Sequence, residues 1–253
     1  MNKVDQFRAL HVPGDPLVLF NIWDAGSAKV VAGAGAKAIA TGSYAVAETN
    51  GFKDGETLPL EVALENLRRI VTVTDLPVTI DMEAGYGDGT EEVARSVQLA
   101  REAGAAGVNL EDRMPGAGEL LPVHTAAARV AAAAAAGIHV NARTDVYFGK
   151  KAHDYTPALI DAVVERASAF SDAGAGSLFV PFLGDHATIA RICERSPLPV
   201  NILWAPGRGT AAELGALGVA RISFGHGPWA AAMTWLEQQA TAVFAGGNPP
   251  YAG

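Results

Sequence analysis

Eight short apolar runs recur along this chain, each introduced by a Gly or a Pro, and they leave few architectures open. They are PLVLFNI from Pro16, AIATGS from Ala38, LPVTIDME from Leu76, AAGVNLED from Ala105, GIHVNARTD from Gly137, GSLFVPF from Gly176, LPVNILW from Leu198 and GVARISFG from Gly218. Runs this short, rich in β-branched residues and bounded by turn formers, read as buried strands. Helical stretches lie between them at 25–33, 59–74, 90–103, 123–136, 156–173, 185–195, 210–217 and 228–245. Several helices stop at a Gly just before the next run (Gly104, Gly137, Gly174 and Gly218), where a left-handed residue ends a helix cheaply. Eight strands alternating with eight helices in 253 residues predict an α/β fold, a (β/α)8 TIM barrel in a single domain spanning 1–253. An open doubly wound sheet is the rival, but NIWDAGSAK follows the first run and no Gly-rich dinucleotide fingerprint stands there. The tail, 246–253, reads GGNPPYAG and is expected to be irregular.

Composition narrows the function classes. Apolar residues make up 49% and charged residues 18%, enough for a sizeable core and unlike a disordered chain. A net charge of −8 disfavours nucleic acid and anionic membrane surfaces as partners, since both need a basic face. The single cysteine, Cys193, excludes an internal disulfide and a cysteine-rich zinc centre. The first residues show no apolar signal core and no long apolar span follows, so a cytoplasmic location is the expectation.

Chemistry in such a barrel sits at the C-terminal strand ends. Those ends deliver Asn21, Trp23 and Asp24, then Thr41, Ser43 and Tyr44, then Asp81 and Glu83. Later strands deliver Asn109 with Glu111, Asn141 with Arg143, Asn201, and Ser223 ahead of Gly225-His226-Gly227. Residues two apart share a strand face, so Asp81 points with Glu83, Asn109 with Glu111, and Asn141 with Arg143. Three carboxylates facing one mouth repel unless compensated, and a hard divalent cation, Mg²⁺ or alternatively Mn²⁺, is the simplest remedy. The competing reading pairs Asp81 and Glu111 with Arg143 and Arg113 in an ordinary polar rim. Trp23 either lines the mouth or packs in the barrel, and Asn201 is placed to meet substrate. Arg208 in APGRGT, with His226, could grip an anion, or those turns are only close-packed corners.

The segments TIDMEAGYGD, VNLEDR and VNARTD, with NIWDAGSAK and the run TGSYAVAETNGFKDGE from Thr41 to Glu56, resemble the isocitrate lyase / phosphoenolpyruvate mutase superfamily. The resemblance runs from Phe20 to about Gly225. It implies a Mg²⁺-dependent barrel, commonly a dimer or tetramer that exchanges its last helix between subunits. By position it implies that Asp81 binds the metal, that Glu83 and Glu111 hold it largely through water, and that Asp54 borders it. Ser43 and Tyr44 match a loop whose N–H groups bind the substrate's carboxylate and oxo oxygens, and Arg143 matches the residue near the bond being broken.

One segment departs from the pattern. After strand 4 the family's lyases carry a Cys general acid, and its mutases and hydrolases carry a longer segment with Lys and Asn or Thr. Here Arg113-Met-Pro-Gly-Ala-Gly-Glu-Leu-Leu-Pro122 has none of these. The expected activity is therefore a Mg²⁺-dependent lyase or decarboxylase. It cleaves a C–C bond of a small 2-oxo or 2-hydroxy acid through an enolate, with Arg143, Glu111 and Tyr44 in the chemistry and Ser43, Tyr44, Trp23, Arg143 and Asn201 on the substrate. The alternatives are a P–C bond phosphonomutase or phosphonopyruvate hydrolase acting on a phosphono acid, and a non-catalytic oxo-acid binder. A homo-oligomer is expected in each case.

Overall fold

Parallel strands joined by helices must cross over the same way each time, and eight of them wrap into a cylinder. The computed structural model describes residues 1–249 and Tyr251; Pro250, Ala252 and Gly253 of the tail expected over 246–253 lie outside the described residues. The strands are β1 (Leu17–Leu19), β2 (Ile39–Ala40), β3 (Val78–Asp81), β4 (Gly107–Glu111), β5 (His139–Arg143), β6 (Ser177–Val180), β7 (Val200–Leu203) and β8 (Arg221–Ser223). All neighbours pair in parallel, in the order β1-β8-β7-β6-β5-β4-β3-β2. Between β1 and β2 the ring is joined by one isolated bridge, Ile22 to Thr41, rather than a ladder. Asn21 reinforces it: its amide donates to the Thr41 carbonyl and its oxygen accepts from the Phe224 and Gly225 N–H groups.

The helices follow the expected order: α2 (Ala25–Gly33), α4 (Leu60–Val71), α5 (Thr90–Glu102), α6 (Val123–Ala134), α7 (Pro157–Asp172), α8 (His186–Arg195), α9 (Ala211–Ala216) and α10 (Gly227–Phe244). Amphipathic spacing seats them. In α4, Ala63, Leu64, Leu67 and Ile70 form the buried face, while Glu61, Glu65, Arg68 and Arg69 face solvent. α10 differs: of its eighteen residues only Pro228 is buried, and Trp235, Leu236 and Phe244 stand exposed. Two helices were not expected. α1 (Lys3–Ala9) closes the N-terminal end of the barrel with Phe7, which is fully buried edge-on to His11 and His139. α3 (Ser43–Thr49) begins where the sequence reading placed a loop.

The barrel interior is divided. Leu17, Leu19, Ala38 and Ala40 pack with Phe7 in one apolar cluster. Across from them runs a connected polar network. His139 meets Ser177 at 2.9 Å, Ser177 donates to Asn141 at 2.6 Å, and Asn141 donates to Asn109 at 2.8 Å. Arg221 donates to Asn109 and Ser223, and Asn201 donates to Ser223. These bonds fix side chains directly beneath the mouth, although His139 Nδ1 and Arg221 Nη1 are buried without a partner among the described residues.

Candidate active site

A pocket of about 270 Å³ opens at the C-terminal strand ends. Asn21, Ser43, Tyr44, Asp54, Asp81, Asn109, Arg143, Ser223 and His226 supply its polar lining, and Phe179, Pro181, Phe182 and Leu203 supply an apolar wall. Asn109 and Ser223 are the top of the interior network, so the pocket floor is held from below.

The acidic side is built by three segments. Asp81 ends β3, and its Oδ2 accepts from the Ser43 backbone N–H at 3.2 Å. That N–H, expected to meet a substrate oxygen, is thus engaged by the acid beside it. Asp54 comes from the loop after α3 and lies against Ser43; burial first, then the charge of Asp81, raises its pKa. Glu83 is buried, and burial together with Asp81 and Asp54 pushes its carboxyl up to about 8. Glu111 is raised well above the usual range, again by burial first, although Arg143 opposes the shift. Such crowding of raised carboxyls marks a site that accepts positive charge.

Arg143, on β5 beside Glu111, borders them. Its Nε donates to Asp145 Oδ1 at 2.7 Å, its Nη2 to Asp145 Oδ2 at 3.1 Å, and its Nη1 to Glu111. Burial disfavours its charge, but Glu111 and Asp145 more than offset this and hold the guanidinium protonated. The polar-rim reading is therefore right for Glu111 and Arg143, and wrong for Asp81, which has no arginine partner among the described residues. Arg113 turns instead to Asp145, at 3.6 Å, and stacks over Phe148 with 4.1 Å from its guanidinium carbon to the ring centre.

Other expected site residues fall elsewhere. Trp23 is not part of the pocket lining: it packs against the main hydrophobic core, and its carbonyl accepts from Asn66. Asn201 lies one layer below, wholly buried, and meets the pocket only through Ser223. Glu83 and Glu111 stand behind Asp81 rather than on the pocket surface. Arg208 grips no anion position, because it donates to the carbonyls of Pro181 and Leu203. Cys193 sits in α8, where burial pushes its thiol up to about 12. The apolar wall was not expected: Phe179, Pro181, Phe182 and Leu203 carry no chemical signature in a sequence. His226 had been read only as an anion-binding candidate, and its ring lies 4.9 Å from that of Tyr44.

Among the described residues, no group of three or more His, Cys, Asp or Glu side chains is arranged to hold a metal ion directly, so the expected convergence of three carboxylates is looser than strand parity suggested. The donor set nevertheless fits a hard divalent cation. Glu83 spends Oε2 on the Gly55 and Glu56 N–H groups, and Glu111 spends Oε1 on Arg143, so each acid keeps one oxygen that these bonds do not use. One direct carboxylate with others acting through water is how Mg²⁺ is usually held.

Comparison with known proteins gives the family. The phosphoenolpyruvate phosphomutase family model matches residues 7–244. A provisionally assigned phosphonomutase from Burkholderia cenocepacia J2315 is 49% identical with a TM-score of 0.92, over 94% of this chain and 98% of that one. The 2-methylisocitrate lyase of Escherichia coli K12 is 30% identical over 77% of this chain and 67% of its own. The oxaloacetate decarboxylase of Pseudomonas fluorescens SBW25 is 28% identical over 90% of this chain and 80% of its own.

Proposed function

The chain belongs to the phosphoenolpyruvate phosphomutase family, and from that premise we propose that it cleaves the bond between C3, the carbon beside the carbonyl carbon, and its substituent in a small 2-oxo acid, with a P–C bond as the first candidate. This reverses the order reached from sequence, where C–C cleavage came first. The observation that carries the reading is the pocket's two signs of charge: Asp54 and Asp81, backed by Glu83 and Glu111, share with Arg143 a volume suited to a three- or four-carbon acid. Likeness to the Burkholderia phosphonomutase favours P–C. So does proton balance. Moving a phosphoryl group from C3 to the oxygen on C2 breaks one P–C bond, forms one P–O bond and needs no external proton. A retro-aldol, a decarboxylation or a hydrolysis of the P–C bond must each protonate the carbon left behind, and the strand-4 loop has no thiol to do so, so this balance favours the intramolecular phosphoryl shift in particular.

In this reading Asp81 is the principal cation ligand, with Asp54, Glu83 and Glu111 holding Mg²⁺ through water; Mn²⁺ suits the same oxygens. When bound, the cation supplies a Lewis acid for the substrate's oxygens and for the charge that develops as the bond breaks. Arg143, fixed by two carboxylates, presents a rigid positive charge to the departing group without reorganising. Ser43 and Tyr44 orient the carboxylate end, and the apolar wall excludes water from the reacting carbon.

C–C cleavage is the second reading, supported by the lyase and decarboxylase relatives. It needs a proton donor, and Tyr44 and His226 are the nearest candidates in the pocket. NMR with Mg²⁺ separates the two. Conversion of phosphonopyruvate to a phosphate ester or to inorganic phosphate, seen by phosphorus NMR, is the expected result. Unchanged phosphonopyruvate beside turnover of oxaloacetate or 2-methylisocitrate would reverse the assignment. Binding without turnover of any of them would leave an oxo-acid-binding protein. We also infer a homo-oligomer, from the exposed apolar residues of α10 and the exposed Val18 and Phe20 on the barrel flank.

A further inference from the structure

Among the described residues, three other than glycine adopt left-handed backbone, and all three meet at one place: Glu56 at φ 57°, Glu83 at φ 49° and Tyr86 at φ 54°. Such conformations cost free energy and persist only where surrounding structure holds them. Here two loops hold each other. Glu83 Oε2 accepts from the N–H groups of Gly55, at 2.8 Å, and Glu56, at 2.9 Å. Glu56 Oε1 in turn accepts from the Tyr86 N–H at 2.8 Å. Gly55 and Glu56 both have positive φ, and their successive N–H groups converge on the one Glu83 oxygen. The second loop is pinned from outside the barrel. Arg129 of α6, almost wholly buried, donates to the carbonyls of Ala84, Gly87 and Asp88 and has no carboxylate partner among the described residues. Neither Glu56 nor Arg129 lines the pocket.

We propose that Glu56 is a positioning residue: its reciprocal clasp with Glu83 fastens the loop that carries Asp54 over Asp81, and Arg129 anchors that clasp, so that cation affinity is set by two residues that never touch the cation. This rests on the reading of the acidic cluster as a cation seat. Asp54 is two residues from Glu56 in the fastened loop, and its orientation follows from where that loop is held. The side chain fastens the loop through its acceptor oxygen, since the partner is a backbone N–H, while its charge is felt by Arg129 and Glu83.

The test uses the full chain and Mn²⁺ alone, in three measurements. In hydrogen exchange without metal, Glu56→Ala should expose the amides of Gly55, Glu56 and Tyr86, while Glu56→Gln, which keeps an acceptor oxygen, should protect them. In Mn²⁺ titration, Glu56→Ala should weaken binding by about tenfold, the order seen for residues that support a metal ligand, and Glu56→Gln should restore it. Adding Asp54→Asn to Glu56→Ala should weaken binding no further than Asp54→Asn alone, since one acts through the other. Unchanged exchange in Glu56→Ala overturns the clasp. Lost protection with unchanged Mn²⁺ affinity, or additive losses in the double variant, overturns its role in cation binding. Absence of Mn²⁺ binding in the wild-type chain, with the exchange result as expected, overturns the cation-seat reading and leaves the clasp as the loop's fastening.

Discussion

The carboxyl group of Glu83 owes its behaviour to its surroundings. Burial, then Asp81 and Asp54, raise it to about 8 in the cation-free chain. A carboxyl raised on folding binds its proton more tightly in the native state, so native stability falls as pH rises from its unfolded value, near 4.5, toward 8. A divalent cation displaces that proton and removes the penalty. Stabilisation by Mg²⁺ is therefore expected to grow between about pH 5 and pH 8, which melting curves with and without the ion would show. Asp81→Ala should weaken Mn²⁺ binding by more than the roughly 10–100-fold that a supporting residue costs, checked by titration. The histidines at the barrel base run the other way. Burial, then Arg221, lowers His11 to about 3, and burial lowers His139 well below the ordinary histidine value. The unfolded chain takes up protons first as pH falls, so stability is lost from about pH 6.5 toward 3, and His11→Asn should flatten that loss in pH-dependent melting.

At the scale of the element, Gly107 in β4 shows how tightly α1 is seated. An added Cβ there would lie 2.6 Å from the Phe7 ring and 3.1 Å from the His139 carbonyl oxygen. Gly107→Ala should lower stability by roughly 1–3 kcal/mol, the usual cost of overpacking, measured by denaturant unfolding. α1 is also where the sequence was least legible: seven residues carry too little periodicity to announce a helix, and their function as a plug appears only once the barrel is closed. The eight strands and eight outer helices were legible because Gly and Pro punctuate every βα unit, and residues such as Gly104 and Gly174 do adopt the left-handed backbone expected at helix ends. Asp81 and Arg143 reach the pocket from their strand ends as parity places them, whereas Glu83 lies beyond the end of β3 in left-handed backbone, where parity no longer sets its facing. Ser43–Thr49 was missed as α3 because its polar start looked like a strand end running into a loop. Glu56 was invisible for a physical reason: its part is played through backbone N–H groups in left-handed conformations, which no spacing of residue types encodes.

At the scale of the whole molecule, α10 and the flank of the barrel each leave apolar side chains exposed. Trp235, Leu236 and Phe244 on one, and Val18 and Phe20 on the other, are costly to leave in water. Light scattering should find a dimer or larger assembly, and Trp235→Glu with Phe244→Glu should shift it toward monomer; a wild-type monomer at micromolar concentration would overturn the expectation. Among the described residues no helix is long and apolar enough to cross a membrane. The joint between β1 and β2 has a wider consequence. A cylinder whose staves are laced by ladders everywhere except along one line is a cylinder with a slit, and Ile22, Thr41 and Asn21 are the few stitches across it. The pocket lies at the upper end of that slit, since Asn21 lines it and Ser43 follows Thr41 by two residues. Pressure or mild denaturant should part the stitches before the laced staves give way, so the site would sense early loosening of the barrel while the rest of the wall still stands.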